Sequence, residues 1–286
     1  MNLQQLINLA RTRLRDLDLD NPLCTNEDLT DFANAAVDEA CIRARLLQSH
    51  EILVITPGVA EYAIDALVLR PQGLIYLDPT GASTIAGSFI IGRWHLITTV
   101  GTTDFTLIGS ANNLVGTYFR ATGLGTGTGV ATVCQQYPLY PVSQSQYYQA
   151  LGNSILNPGI PSHYAIGIDA NSIALYTLPK AAGAIALDLR RLPNDSDKMV
   201  NPADEPIIPA RYHRDLVHWM LVEAYNIHSS DLLDPKAAER YEAKFERLFG
   251  RKPSALAETQ GQRNVVGGDI APATFGGSFS QSSNYG

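Results

Sequence analysis

Three stretches of the chain hold residue types that carry chemistry in other proteins: a glycine run, ATGLGTGTGVAT at 121–132; the string HRDL at 213–216; and a loop of alternating acids, DLDLDNPLCTNE at 16–27. Glycine-rich loops cradle phosphates when they join a strand to a helix in a G-x-G-x-x-G pattern, or when a Lys follows them. Here Gly123, Gly125, Gly127 and Gly129 alternate with other residues. Thr128 stands three beyond Gly125, Val130 three beyond Gly127, and no Lys follows. Period-two glycine suits extended backbone packed close against another backbone. The HRDL string is that of a kinase catalytic loop, but the required Asn four residues after Leu216 is Met220, and no glycine loop or DFG accompanies it. His213, Arg214 and Asp215 therefore read as helix-surface residues. In the acidic loop Asp16, Asp18, Asp20 and Glu27 fall at positions 1, 3, 5 and 12 of a calcium-hand loop, with Leu23 at apolar position 8. Asn21 replaces the turn glycine and Pro22 comes directly after it. The four acids are a candidate calcium set; the competing reading is a solvated helix–helix loop.

The other reactive side chains form no known constellation. His50, His95, His163, His218 and His228 show no HExxH or i,i+4 pairing, and no serine stands in GxSxG. Cys24, Cys41 and Cys134 show no CxxC or zinc spacing and read as reduced thiols. Trp94 and Trp219 read as core anchors, and SQSQYYQ at 143–149 as a polar edge or loop. The expectation is a protein without catalytic residues, cofactor or enzymatic activity.

Composition narrows the partners. The chain has 286 residues, 45% of them hydrophobic, with 28 acidic and 21 basic residues and a net charge of −7. Such a balance argues against a broad nucleic-acid grip, which needs clustered Lys and Arg. It is compatible with DNA sliding past without adhering. The opening MNLQQLINLARTRLRDL lacks a signal-type apolar core, and no apolar run reaches the roughly 20 residues of a membrane span. Synthesis and folding in a cytoplasm, with no membrane partner, is the expectation.

Local patterns predict the elements that hold these residues. Helical spacing of Leu3, Leu6, Ile7, Ala10, Leu14 and Leu17 predicts a helix over 3–17. Thr25 with Asp28 three residues on resembles a capping box for a second helix over 26–48. From Glu51 the period changes: ILVIT, a Pro-Gly turn and VAEYAID read as a hairpin, and LVLRPQGLIYLD continues in strand style. HYAIGIDANSIALYTLP offers two strands joined near Asp169–Asn171, and AIALDLRRL reads as a half-buried strand. A proline-rich connection leads to helices over 209–228 and 235–249, the last with Asp234 as N-cap and Gly250 as its stop. Beyond Lys252 the chain turns Gly/Ser-rich with spaced aromatics at Phe275, Phe279 and Tyr285.

Two resemblances rest on these residues. GSFIIGRWHLITTVGTTDFTLIGSANNLVGTYFRATGLGTGTGVAT, at 87–132, is similar to a small β module that recurs in tailed-phage proteins. LINLARTRLRD, LTDFANAAVDEA, SIALYTLPKAAGAIALDLRRLP, EPIIPARYHRDLVHWMLVEAY and AERYEAKFERLFGRKPSA, in that order, resemble the head-to-tail adaptor proteins of tailed phages. The usual member of that family has a short hairpin where this chain carries 82–135.

The resulting expectation is an α+β fold: a helical bundle from N- and C-terminal helices, a central antiparallel β region, a small all-β insertion and an extended C-terminal arm. The domains would be an adaptor core, 1–81 with 136–250; an inserted β module, 82–135; and a flexible arm, 251–286. The resemblance implies a virion protein at the head–tail junction. Its partners would be copies of itself in a ring of about twelve, the portal protein, tail or nozzle proteins, and double-stranded DNA passing without specific binding. Phe275, Phe279 and Tyr285 are the candidate partner-interface residues. The alternative is a virion surface module whose β insert contacts a receptor or another tail protein.

Overall fold

The structure, a computed structural model, describes residues 1–18, 20–149, 157–166, 168, 171–227 and 233–254. Helix α1, Leu3–Leu14, starts on a capping box between Asn2 and Gln5. It ends three residues before the expected 17, because Arg15 takes a left-handed φ of 60°. Helix α2, Asn26–Ala44, begins on the expected Thr25–Asp28 capping box. It stops at Ala44 rather than 48: Arg45 is left-handed, φ 50°, and Leu47 already belongs to a strand. Of the predicted 209–228 helix, Ala210–Leu216 is wound as a tighter 3-10 helix and only Val217–Tyr225 is α-helix, α3. Helix α4, Pro235–Phe249, runs from Asp234, whose carboxylate accepts from the Ala237 amide, to Gly250.

The strands are β1 Leu47–Ile55, β2 Glu61–Ala63, β3 Val68–Asp78, β4 Ser83–Ile85, β5 Trp94–Thr99, β6 Tyr118–Arg120, β7 Val130–Val133, β8 Gln135–Pro141, β9 His163–Ile166, β10 Ser172–Tyr176 and β11 Gly183–Arg191. Seven form one sheet in the order β1-β11-β3-β8-β9-β10-β2; all neighbours are antiparallel except β8 and β9. The sheet curls around Ile55, Leu74, Tyr76, Leu139, Tyr164, Ile173, Leu175, Ile185, Leu187 and Leu189. Its two ends are drawn together by Tyr62, whose hydroxyl accepts from the Thr56 amide at 3.1 Å and donates to the Thr56 carbonyl at 2.9 Å. The expected hairpin of ILVIT with VAEYAID is therefore not formed. β1 pairs with β11 and β2 with β10, at opposite edges of the same sheet.

This architecture overturns the expected fold built on a helical bundle. The fold is mostly β, and the seven-stranded curled sheet is its centre. The helices pack as one cluster, through Leu6, Ala10, Leu29, Ala36, Ala40, Leu216, Leu221 and Phe245, but they cover only one region of the molecule. Their long 3.6-residue stripes dominate the sequence pattern, whereas short strands broken by Pro, Gly and Thr leave a weak periodic trace. Pro71 illustrates this. It stands in β3, where the ladder with β11 is irregular and β8 has not yet joined, so its missing N–H costs no second ladder.

The second sheet, β4-β7-β5-β6, lies within residues 83–133. Its core is aromatic: Phe89, Phe105 and Phe119, with Ile97, Ile108 and Ala131. Trp94 and Leu96 of β5 and Tyr118 of β6 pack on Leu77, Ala184, Ala186 and Cys134. β11 is consequently buried on both faces over Gly183–Leu187, not half-buried as its alternation suggested. Residues 144–149, expected as polar edge or loop, are helical, and Tyr147 is buried against Ala165 and Ala174.

The glycine run is explained by contact. Gly127 has φ +106°, and a Cβ there would lie 2.9 Å from the Thr102 backbone. At Gly129 a Cβ would lie 2.7 Å from Thr103 Cβ and 2.8 Å from the Phe105 ring, while its amide donates to Thr103 Oγ1 at 2.8 Å. These glycines let 127–130 lie on the 102–105 turn. Gly129→Ala should overpack this sheet and lower stability by about 1–3 kcal/mol, read as a lower denaturant midpoint with an unchanged slope.

Candidate functional site

The acidic loop is built around a buried ion pair. Arg11 Nη1 donates to Asp16 Oδ2 at 2.5 Å, and the two side chains are 7% and 1% exposed. The same guanidinium donates through Nη2 to the Cys24 carbonyl at 2.8 Å and to Asn26 Oδ1 at 3.0 Å. Asp16 also accepts from the amides of Leu23, at 2.9 Å, and Cys24, at 3.4 Å. The carboxylate thus ties the end of α1 to the start of α2. Asp18 accepts from the amide of Asp20 at 3.1 Å, and Glu27 is exposed on the first turn of α2. The structure does not bring Asp16, Asp18, Asp20 and Glu27 together, and no group of three or more His, Cys, Asp or Glu among the described residues is placed to hold a metal ion. Burial, with Asp16 and Asp28 nearby, pushes the Cys24 thiol up to about 11, so it is an inert core group.

His213, expected on a helix surface, is 2% exposed. Its Nε2 donates to the Ile208 carbonyl at 2.8 Å, and its Nδ1 accepts from the Met1 terminal ammonium at 3.2 Å, so the ring joins the 3-10 helix to the start of the chain. The 3-10 winding turns this side chain inward, whereas Arg214 stays exposed. His50 bonds Asp188 across β1 and β11 at 2.5 Å. His163 lies 2.9 Å from the Ser162 hydroxyl, but the rings around it are Tyr140 and Tyr176. His218 stacks on Tyr241. His228 lies outside the described residues, as do Phe275, Phe279 and Tyr285 with the rest of 255–286.

His95 is the buried titratable group of the second sheet. It is fully buried, stacked at 5.5 Å on Phe119 and edge-on at 5.5 Å to Phe89, with Nδ1 on the Arg93 carbonyl at 3.0 Å. Nε2 has no hydrogen-bond partner among the described residues. Burial holds its pKa below the ordinary 6.5, against the smaller opposing effect of the Arg93 carbonyl. Nearby, Asp104 accepts from the Thr106 hydroxyl at 2.6 Å, from the Thr106 amide and from Asn113, which fixes the turn of the TTDFTLIG motif. Around this core, aliphatic side chains face solvent: Ile90 is 50% exposed, Ile91 60%, Leu107 80% and Leu124 54%. They make the second sheet a candidate docking surface.

Sequence reasoning missed a cleft at the mouth of the curled sheet. It has a volume of about 280 Å³ and is lined by Arg45, Gln72, Leu74, Leu139, Tyr164 and Arg190, with Pro71, Gly73 and Pro141. The one trace it leaves in the sequence is the Arg190–Arg191 pair ending an apolar strand. No helix of the described residues is long and apolar enough to cross a membrane.

With this geometry in place, comparison with known families returns a match: the model of the SU10 adaptor protein family aligns with residues 1–103 and 93–268. No curated protein matches the chain.

Two measurements test the site geometry. Asp16→Asn should leave Arg11 buried without its counter-charge and cost about 3–5 kcal/mol, seen in chemical denaturation. For His95 the folded pKa is depressed, so below about pH 6.5 the unfolded chain binds a proton that the folded chain refuses. Stability should therefore be complete above that pH and fall as pH drops through the folded value. His163 and His218, lowered mainly by burial, act in the same direction. The difference between wild type and His95→Phe across pH 7.5 to 5 isolates this residue: the variant should lose less.

Proposed function

We propose a place for this chain in the particle from one fact: it belongs to the SU10 adaptor protein family, a phage adaptor family and not an enzyme class. The reading is that it is the subunit of a head-to-tail adaptor ring at the head–tail junction, of about twelve copies, with the portal protein on one side and tail or nozzle proteins on the other. DNA passes through the ring without specific binding. The family match carries this reading, because it spans both the helices and the curled sheet. The helix cluster and the curled sheet each have a packed apolar core, as subunits that pack side by side require. The net charge of −7 favours passage of DNA over adhesion.

Within this reading residues 82–135 are an inserted module on the adaptor core, 1–81 with 136–250. Three observations support it: its four strands form their own sheet, it has its own aromatic core, and the two matched stretches meet at 93–103, inside it. Residues 251–286 are then a C-terminal arm, with Phe275, Phe279 and Tyr285 as anchors on a neighbouring protein. A second reading is favoured by the exposed Ile91, Leu107 and Leu124: the module binds a receptor or another tail protein.

Replacing residues 84–133 by a short glycine linker separates the two. The adaptor reading expects rings and infectious particles to form still, seen by electron microscopy and plaque counts. The binding reading expects particles that assemble but adsorb poorly. Loss of ring assembly by a folded deletion variant, or particles in which this chain is absent between portal and tail, would remove the first reading.

A further inference from the structure

Strand β3 pairs with β11 along its length but with β8 only from Leu74 to Asp78. Beyond Leu139, β8 turns away and runs parallel to β9, with Tyr140 opposite His163 and Pro141 opposite Tyr164. Among the described residues, 68–73 of β3 therefore have a strand neighbour on one side alone. The gap is the cleft at the mouth of the curled sheet. Its floor is apolar, from the buried Leu74, Leu139 and Tyr164, and its rim holds the half-buried Arg45 and Arg190.

The charge there is unbalanced. Among the described residues no Asp or Glu lines the cleft, and neither guanidinium has a hydrogen bond or an ion pair. The backbone is irregular at both rim residues. Arg45 is left-handed, φ 50°, a conformation unfavourable for a side chain of its size. The β11–β3 register shifts on both sides of Leu189–Arg190, the kind of bulge that re-aims side chains. Half-buried cations without counter-charge, beside open strand backbone, match an acidic ligand that is itself extended.

We propose that this cleft receives an extended acidic peptide segment of a partner protein, whose backbone pairs with β3 at 68–73 and whose carboxylates meet Arg45 and Arg190. A nucleic-acid strand fits less well, because it presents a phosphate at every nucleotide and needs a basic groove that tracks them. Binding of this kind is a property of the isolated chain and holds whatever its place in the particle.

Fluorescence anisotropy on the full chain tests it with three labelled probes: an eight-residue peptide alternating glutamate and valine, the same peptide with glutamine for glutamate, and an octamer of thymidine. The glutamate peptide should bind saturably and about tenfold tighter than the glutamine one. Arg45→Gln and Arg190→Gln should each remove about tenfold while the circular dichroism spectrum stays the same; should the strand variant misfold, Arg45→Gln at the helix end carries the test. N-methylation of alternate peptide bonds should weaken binding by a similar factor. Equal affinity for the two peptides, a preference for the oligonucleotide, or indifference to N-methylation would overturn the proposal.

Discussion

The structure depends on β11 being buried on both faces. On one face Ile185, Leu187 and Leu189 fill the curled sheet; on the other Ala184 and Ala186 lie beneath Trp94, Leu96 and Tyr118 of the second sheet. Small residues on that outer face let the two sheets approach, and large ones on the inner face fill the volume that curling creates. Fully burying one aliphatic side chain contributes about 1.5–3 kcal/mol. A single strand with apolar residues on both sides therefore anchors two cores at once. β3 shares the burden, with Tyr76 inside and Leu77 outside. Residues 83–133 can thus leave and re-enter the chain between β3 and β8, which remain direct neighbours, without disturbing the larger sheet.

The helices are tied to one another and to the proline-rich connection through polar seams as well as apolar packing. Asn34 imitates a strand, donating to the Met199 carbonyl at 3.0 Å and accepting its amide at 2.9 Å, and so fixes the proline-rich connection against α2. The same connection supplies the carbonyls of Asp204 and Pro202 to the first amides of α1, which have no partner inside their helix. Arg43 closes the other seam. Its guanidinium lies 4.9 Å from the Trp219 ring and 5.3 Å from that of Phe245, and bonds Glu39 at 2.8 Å. Lys252 reaches the same carboxylate at 2.8 Å. Glu39 is buried, so each cation offsets the cost of its desolvation. This fixes where the chain leaves α4.

The helices were legible in the sequence because their signals are local. Caps at Thr25 and Asp234 and the stripes facing the core can be read within a few residues. Their ends were less so: Arg15 and Arg45 turn left-handed to meet tertiary neighbours, a buried ion pair in one case and a strand in the other. Strand partners were the hardest part. ILVIT and VAEYAID look like a hairpin because a Pro-Gly turn separates them, yet β1 and β2 find β11 and β10, more than a hundred residues away. The inward turn of His213 likewise depends on 3-10 winding that an amphipathic pattern does not encode. The cleft left only the Arg190–Arg191 pair as a trace, because it arises where β8 parts from β3, an event of sheet geometry with no motif.

Several of the reactive-looking groups are engaged in holding the fold: Asp16 by Arg11, His213 by the Ile208 carbonyl and the Met1 ammonium, the glycines by backbone contact. A group whose hydrogen bonds are already made inside the core has little capacity left for a substrate. What the described chain leaves uncommitted is surface: aliphatics on the second sheet, open backbone on β3, and two arginines without acids. Apolar area, strand edges and unpaired charge are the means by which one protein holds another, and they suit a chain whose family is one of adaptors.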